Sequence, residues 1–228
     1  MANSPLVAFV AMASASSAQE VGYHDRVRAE KRAAILEAAT RLFLENGYSG
    51  ASLAKIAEAA GVSSATLFKR FPTKAALFEA IVTDYWTSAG QAGVEPESGD
   101  PRKGLTTIGR DYVALLTQPQ MVSLFRLVIA EAPRFPELAK AHFALGKAPY
   151  FQRVRDYLRE EDVIGTLRIS DPQSAATQFL GMVSNFAFWP RLLLPNWSPS
   201  KPALRKAVDE AVETMLARYS VSGPEDPD

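Results

Sequence analysis

The side chains of this sequence that could do chemistry gather in one stretch, GVSSATLFKRFPTK, residues 61–74. It combines serine and threonine hydroxyls with two phenylalanines and three basic residues, although the whole chain has a formal net charge of zero. On a helix with about 100° per residue, Leu67 and Phe71 share one side, while Ala65 and Lys69 point away from it. An exposed face of small, hydroxyl and cationic groups can enter the major groove of DNA. The stretch therefore suggests a recognition helix.

Hydroxyls at the starts of the neighbouring helices could hold the DNA backbone. Four of them lie where a helix is expected to begin: Ser52, Ser63, Ser64 and Thr73. Lys74 follows in the first turn of the next helix, and the partial positive charge of a helix N-terminus favours a phosphate. The alternative is plain capping, because serine and threonine are common N-caps and Lys-Arg pairs are common on solvated faces. From these residues alone, both interpretations stay open.

Charge is distributed unevenly along the chain. Residues 22–80 hold nine basic against six acidic residues, a balance of +3, whereas residues 81–228 hold 16 against 18, a balance of −2. A difference of a few charges can arise by chance, but a basic front segment is a reason to look for an anionic partner there.

The composition excludes several kinds of site. The chain has no cysteine and only two histidines, His24 and His142, so disulfides, thiol catalysis, zinc fingers and iron–sulfur clusters are ruled out. Its acids show neither calcium-loop spacing nor a paired-carboxylate signature, and no glycine-rich phosphate loop occurs. We therefore expect no metal, no cofactor and no enzyme activity, in a protein suited to the reducing cytoplasm. An enzyme on a helical bundle remains an alternative.

Apolar residues recur at spacings of three and four almost everywhere after residue 28, which predicts an all-α fold of about nine helices. A first helix should end at Asn46-Gly47, and a second, capped by Ser52, should end at Gly61. The recognition helix then stops before Pro72, and a fourth helix starts at the N-cap Thr73. Five longer helices are predicted over residues 102–117, 120–132, 136–163, 172–194 and 201–219, the middle one broken or kinked by Gly146 and Pro149.

Composition also suggests where the domains begin and end. The apolar start PLVAFVAMASASSA lacks the preceding positive charge of a secretory signal and is too short to span a membrane. We therefore expect a loose tail, or a start codon assigned too early with Met12 as the true start, and no membrane association. The stretch GQAGVEPESGDP has the Gly, Pro and acid content of a linker. The predicted segments are a disordered extension at 1–24, a DNA-binding domain with its connecting helix at 25–90, a linker at 91–101, a ligand-binding and dimerisation domain at 102–220, and a disordered tail at 221–228.

The front of the chain resembles a known family. The run AAILEAATRLFLENGYSGASLAKIAEAAGVSSATLFKRFPTKAALFEAI is similar to the helix-turn-helix domain of the TetR/AcrR family of bacterial transcriptional regulators. The resemblance implies a homodimer whose two recognition helices enter successive major grooves of a near-palindromic operator in double-stranded DNA. It implies a repressor released by a small-molecule inducer. The remaining alternative is an interaction module that kept the fold and lost DNA binding.

Carried over residue by residue, the resemblance and the helical projection together assign DNA contacts. The residues expected to contact DNA are Ser52, Ser63, Ser64, Ala65, Thr66, Phe68, Lys69 and Lys74. Phe68 departs from the family pattern, because family members usually carry tyrosine there, whose hydroxyl commonly bonds a phosphate. Phe68 offers only its ring edge, to a sugar or a methyl group.

The C-terminal part is similar to the AefR-like group, on the segments FRLVIAEAPRFPELAKAHF and DVIGTLRISDPQSAATQFLGMV. In this family the domain binds the inducer and pairs the subunits, although aromatic residues at helical spacing are more often core. Aromatic residues suited to an inducer site are Phe125, Phe135, Phe143, Tyr150, Phe151, Tyr157, Phe179, Phe186, Phe188 and Trp189. The pocket candidates are Arg126, Glu131, His142, Phe143, Gln178, Met182, Asn185 and Phe186. The candidates for the dimer interface, whose alternative is burial within one subunit, are Phe188, Trp189, Leu192, Leu193, Val208, Val212 and Met215.

Overall fold

The computed structural model describes residues 5–90, 96–194 and 196–221, with the side chains of 25–87 and of the two later ranges. This described part is helical apart from loops and one antiparallel bridge, between Leu167 and Ser220, which confirms the all-α prediction. The helices are α1 (Pro5–Gly50), α2 (Leu53–Ala59), α3 (Ser64–Arg70), α4 (Lys74–Gly90), α5 (Pro101–Leu116), α6 (Pro119–Glu131), α7 (Pro136–Ala141), a π-helical segment (His142–Lys147), α8 (Ala148–Ile164), α9 (Pro172–Ala187), α10 (Trp189–Leu193) and α11 (Lys201–Tyr219).

Helix α1 starts at Pro5, whereas the sequence predicts a disordered extension over 1–24. Alanine, the strongest helix former, is frequent in this stretch, and no proline follows Pro5 within it. The backbone kinks at Gly47, whose φ of 72° suits glycine better than any other residue, so regular helix stops at the predicted Asn46-Gly47. The predicted tail at 221–228 lies, after Val221, outside the described residues.

The chain divides into two compact units, residues up to Leu77 and residues from Phe78 onward. The sequence instead predicts a boundary after residue 90, because the linker composition begins there. Helix α4 contributes to both units, and α5 begins at Pro101, where the predicted linker ends.

The first unit is a three-helix helix-turn-helix domain. Helix α2 packs against α1 and α3. Ile35 and Phe43 of α1, Ile56 of α2, Leu67 of α3 and Leu77 of α4 are each no more than 1% exposed, so all four helices contribute to one core. The apolar spacing of these residues accounts for the fold of this unit.

In the second unit, α5, α9 and α11 pack on one another, and α8 covers α9. Asp100, Asp171 and Ser200 cap these three helices, since each side chain accepts the backbone N–H three residues later. Among the described residues, no single helix is long and apolar enough to cross a membrane; only α5 and α6 together, across a bend of 68°, meet the length and composition of a span.

The predicted helix at 136–163 is three pieces in the structure. Residues His142–Lys147 form a π-helical turn, in which the N–H of Ala148 donates to the carbonyl of Phe143. Pro149 has no N–H to donate to the carbonyl four residues earlier, and its ring would clash with that carbonyl. The turn before it therefore widens, as the predicted break at Gly146 and Pro149 anticipated.

The predicted helix at 172–194 is also interrupted. Helix α9 ends at Ala187, Phe188 leaves helical geometry with φ −123° and ψ −53°, and α10 follows. Pro190 at the second position of α10 explains the break, because proline is tolerated in a first turn and excluded from a helix interior.

Candidate nucleic-acid interface and ligand cavity

Helix α3 is held to the first unit by its inner side. Leu67 is fully buried and Phe71 is 7% exposed, as the helical projection predicts. Before α3, Gly61 adopts a φ of 64° in the turn after α2, a backbone conformation that side chains disfavour. The turn and the two buried anchors determine which side of α3 faces outward.

The outer side of α3 carries the predicted groups for contacting DNA. Ser64, Ala65 and Lys69 are exposed, and the Phe68 ring is 47% exposed. Arg70 is half-buried beside them. A cation, a methyl group and an aromatic ring thus share one surface of a helix that can enter a major groove.

Two predicted phosphate contacts also cap helices. The Ser52 hydroxyl accepts the N–H of Lys55 at 3.3 Å, and the Ser63 hydroxyl accepts the N–H of Thr66 at 3.1 Å. The Ser63 and Thr66 hydroxyl oxygens lie 2.8 Å apart. A serine hydroxyl has one proton and two lone pairs, so a cap can still donate to a phosphate. The two interpretations left open by the sequence are therefore compatible.

Lys74, for which the sequence predicts a phosphate contact, bonds the main chain in the structure. Its ammonium group donates to the carbonyls of Tyr48 at 2.5 Å, Ser49 at 3.4 Å and Ala51 at 3.0 Å, and lies 4.6 Å from the centre of the Tyr48 ring. An ammonium group has three protons, and the main chain after Gly47 accepts all of them. Lys74 thus links the start of α4 to the segment that leads into α2.

The second unit contains a cavity of about 190 Å³. Helices α4 to α6, the π-helical segment and helices α8 to α10 all contribute to its walls. The lining residues are Trp86, Tyr112, Leu116, Phe125, Lys147, Phe151, Thr177, Gly181, Ser184, Phe188 and Trp189. The walls are mostly aromatic, with one charged side chain, Lys147.

Lys147 is held by aromatic faces. Its ammonium group lies 4.9 Å from the centre of the Phe143 ring and 5.0 Å from that of Phe151. Within the described parts of the chain, it forms no ion pair with a carboxylate. A cation beside an aromatic cavity attracts an anionic group, because the low-dielectric walls strengthen the interaction.

His142 lies behind the cavity wall and is 3% exposed. Its ring packs edge-on against Phe125, at 4.2 Å between ring centres, and against Trp86 at 5.7 Å. Burial, with a smaller effect from Lys147, lowers the pKa of His142 to about 4, so its imidazole is neutral at pH 7. Both ring nitrogens of His142 and the indole N–H of Trp86 are buried without hydrogen-bond partners among the described residues.

Tyr112 forms part of another wall and is 4% exposed. Burial raises the pKa of Tyr112 to about 12, although a hydrogen bond with Ser184 acts in the opposite direction. Its ring stacks on Tyr150 at 5.1 Å between centres. The phenol of Tyr112 is therefore protonated at neutral pH.

Comparison with known proteins identifies both units. Residues 35–81 match the family described as bacterial regulatory proteins of the tetR family, and residues 103–221 match the C-terminal domain of AefR-like transcriptional repressors. The second match alone spans more than half of the chain. The chain belongs to the TetR family of transcriptional regulators.

Three relatives show how far the likeness extends. A putative TetR-family regulator from Mesorhizobium loti is 29% identical, with 85% of this chain and 98% of that one aligned at a TM-score of 0.74. The flavonoid-responsive regulator FrrA is also 29% identical, over 85% and 98% of the chains, at a TM-score of 0.71. The uncharacterised helix-turn-helix regulator YvkB of Bacillus subtilis is 26% identical over 67% of this chain and 78% of its own.

None of the eight predicted pocket residues of this TetR-family regulator lines the cavity. Arg126 donates instead to the carbonyls of Leu192 and Arg191, and Gln178 accepts the hydroxyl of Tyr219. His142 stands one layer behind the wall. The other five also lie outside the lining: Glu131, Phe143, Met182, Asn185 and Phe186. Five of the eight candidates are polar side chains within apolar runs, whereas the lining is mainly aromatic.

The residues that do line the cavity carried only a partial sequence signal. Phe125, Phe151, Phe188 and Trp189 belong to the aromatic set that the sequence singled out as inducer-site material. Lys147 gave no signal, because a single lysine on a helix usually keeps its charged head in water. Trp86 and Tyr112 sit in helical apolar patterns that are typical of core residues.

Five of the seven predicted dimer-interface residues are buried within this chain. Val208, Val212 and Met215 are each no more than 2% exposed, Phe188 is 3% and Leu192 9%. The close packing of α5 on α11 explains the burial of Val208. A Cβ added at Gly109 of α5 would lie 2.6 Å from Cγ1 of Val208, so α5 covers this face of α11. Trp189 and Leu193, at 55% and 83% exposed, remain available to a partner.

Proposed function

We propose that this TetR-family regulator is a homodimeric repressor that occupies a near-palindromic operator and leaves it when a small molecule binds. The observation that carries the proposal is the outer face of α3, where Ala65, Phe68 and Lys69 are exposed together. The proposal gives base contacts to Ala65, Thr66 and Lys69, and backbone contacts to Ser52, Ser63 and Ser64. It implies a protein that acts on DNA in the bacterial cytoplasm and catalyses no reaction.

The aromatic cavity supports the ligand part of the proposal. FrrA, which shares the fold at 29% identity, is by its name responsive to flavonoids, which are aromatic compounds. We infer that an aromatic effector enters the cavity of the second unit and favours a dimer whose recognition helices are wrongly spaced. Release requires that the effector bind this dimer more tightly than the DNA-binding one.

The dimer part of the proposal has its own support. Trp189 at the start of α10 and Leu193 at its end expose large apolar surfaces, which are costly to leave in water. We assign α10 to the subunit interface.

The DNA-binding proposal is tested by fluorescence anisotropy, with a duplex from upstream of the protein's own gene and a scrambled duplex, at several salt concentrations. We expect tighter binding to the upstream duplex and an affinity that falls steeply as salt rises, because Lys and Arg displace counterions from phosphates. Equal affinity for both duplexes, or no binding at low salt, would contradict an operator-specific regulator.

The dimer is tested by sedimentation with Leu193→Glu, and Val163→Glu is the matched control. Leu193 and Val163 are apolar residues that are 83% and 79% exposed, so we expect the second unit to fold with glutamate at either position. We expect the Leu193 variant to be monomeric and the Val163 variant to remain a dimer. The reverse result would put the interface on α8.

A further inference from the structure

The walls of the cavity select a flat ring. Trp86 and Tyr112 are buried, and Phe125, Phe151 and Phe188 add further aromatic faces and edges to the walls. Aromatic rings pack best with other rings in stacked or edge-on contact, which a saturated ring cannot make. The cavity therefore favours an aromatic over an aliphatic compound of equal size.

Lys147 adds a requirement for charge. Two aromatic faces hold its ammonium group at 4.9 and 5.0 Å, and none of the residues that line the cavity is acidic. Its protons are available because cation–π contacts do not use them as hydrogen bonds. A carboxylate of the ligand would form a charge-assisted hydrogen bond in a partly dry site, which is stronger than a neutral one.

Helix α9 supplies a polar edge. Thr177, Gly181 and Ser184 follow at spacings of four and three, so they form one stripe along the helix. The glycine leaves room: a Cβ added at Gly181 would meet no atom within 4 Å. The Thr177 hydroxyl donates to the carbonyl of Gln173 and the Ser184 hydroxyl to that of Gly181, so both can accept a hydrogen bond from a donor substituent of the ligand.

The volume of the cavity indicates how large a ligand it can hold. An apolar cavity of about 150 Å³ holds one benzene molecule, and drug-sized ligands occupy about 300 Å³ or more. A cavity of about 190 Å³ thus holds one ring with short substituents.

We propose that the cavity binds single-ring aromatic carboxylates, with the ring against Trp86, Phe125 and Phe188 and the carboxylate on Lys147. The proposal names the chemical class of the effector and so rests on the proposed ligand response.

The test is calorimetric titration of the full chain, without DNA, with 4-hydroxybenzoate as the probe. Comparison ligands are 4-hydroxybenzamide, which lacks the charge, cyclohexanecarboxylate, which lacks the aromatic ring, and the three-ring flavanone naringenin. We expect 4-hydroxybenzoate to bind about tenfold to a hundredfold more tightly than the amide, the range of a charged hydrogen bond. Equal affinity for the amide, the saturated acid or the flavanone would overturn the charge, ring or size assignment respectively.

Lys147→Met removes the cation and keeps an apolar stem that packs against aromatic rings. We expect it to lose about tenfold to a hundredfold in affinity for 4-hydroxybenzoate and nothing for the amide. Lys140→Met, at an exposed lysine of α7 outside the lining, is the matched control and should bind like the wild type. An equal loss in both variants, or in neither, would overturn the role of Lys147.

Gly181→Leu covers the case in which the Lys147 variant fails to fold. Replacing glycine inside α9 favours helix, and the longer side chain fills the open space beside the hydroxyl stripe. We expect a raised melting temperature together with loss of probe binding, whereas Gly181→Ala should raise the melting temperature and keep most of the binding. Full binding by the leucine variant would place the ligand elsewhere.

A DNA-release assay separates this proposal from the proposed function. If 4-hydroxybenzoate binds with the expected selectivity but leaves the operator complex intact, the proposed ligand class is correct. The proposal that this ligand releases the protein from DNA is then wrong. The protein could instead bind its operator and be released by another compound, while 4-hydroxybenzoate does not bind. In that case the proposed ligand-responsive regulation holds and the proposed ligand class is wrong.

Discussion

The ammonium nitrogen of Lys74 lies 2.5 Å from the carbonyl oxygen of Tyr48 and 4.6 Å from the centre of the Tyr48 ring. One side chain thus holds the last carbonyls of α1, where positive charge is favourable, and the ring beside them. Since Ala51 is a further acceptor, the contact also orients the residue before Ser52, the N-cap of α2. Lys74 is a positioning residue for the helix-turn-helix unit.

Lys74→Met should destabilise the first unit. The carbonyls of Tyr48 and Ala51 would lose a charged donor in a partly buried site, which costs about 2 kcal/mol of unfolding free energy. Urea unfolding of the variant measures this loss. DNA affinity should fall to a similar degree for all sequences, because the change affects positioning and not base readout.

Lys55→Met is the control for that experiment, because Lys55 is an exposed lysine of α2 whose side chain is outside this cluster. If Lys74→Met kept full stability and only DNA binding fell, a direct phosphate contact by Lys74 would be the better explanation.

Phe68→Tyr should strengthen DNA binding. The ring is 47% exposed, so an added hydroxyl costs little in the free protein and can reach a phosphate. A net hydrogen bond of about 1 kcal/mol corresponds to roughly fivefold in affinity, for operator and scrambled duplex alike. Anisotropy titration of both duplexes checks this. An unchanged affinity would show that the ring edge faces a sugar or methyl group instead.

Lys69→Ala should change which base is preferred at the operator position that α3 contacts in the major groove. The side chain is exposed on the outward face, and lysine can donate to the acceptors of guanine in the major groove. Binding to a set of operators with single substitutions measures the preference. If every sequence weakened equally and the salt slope fell by about one, Lys69 would be a phosphate contact.

Acid should destabilise the second unit through His142. Its pKa is about 4 in the folded chain and about 6.5 when unfolded, so between these values the unfolded chain binds more protons. The stabilisation is full above pH 6.5 and is lost as the pH falls towards 4, amounting to about 3 kcal/mol. The groups facing the imidazole are Trp86, Phe125 and the ammonium group of Lys147.

The check is the unfolding free energy at pH 7 and pH 4.5 for the wild type and for His142→Phe, which keeps a ring between Trp86 and Phe125. We expect the variant to lose less stability than the wild type on acidification. Parallel losses in the two proteins would mean that other groups cause the acid sensitivity.

Local sequence patterns are enough to predict the helix class, the helix-turn-helix unit and the inward anchors Leu67 and Phe71. These features depend on neighbours within about four residues: helical period, N-caps such as Ser52 and Ser63, and stops such as Gly47. They can therefore be predicted from the sequence of each segment.

The contacts of Lys74, the lining of the cavity and the helix faces that stay exposed to a partner depend on tertiary structure. Lys74 binds carbonyls 23 to 26 residues away, and the cavity joins residues from Trp86 to Trp189. Val208 looked like an interface residue until the close approach of α5 at Gly109 covered it. Periodicity tells which side of a helix is apolar, but only the packing of distant helices tells whether a core, a ligand or a second subunit covers that side.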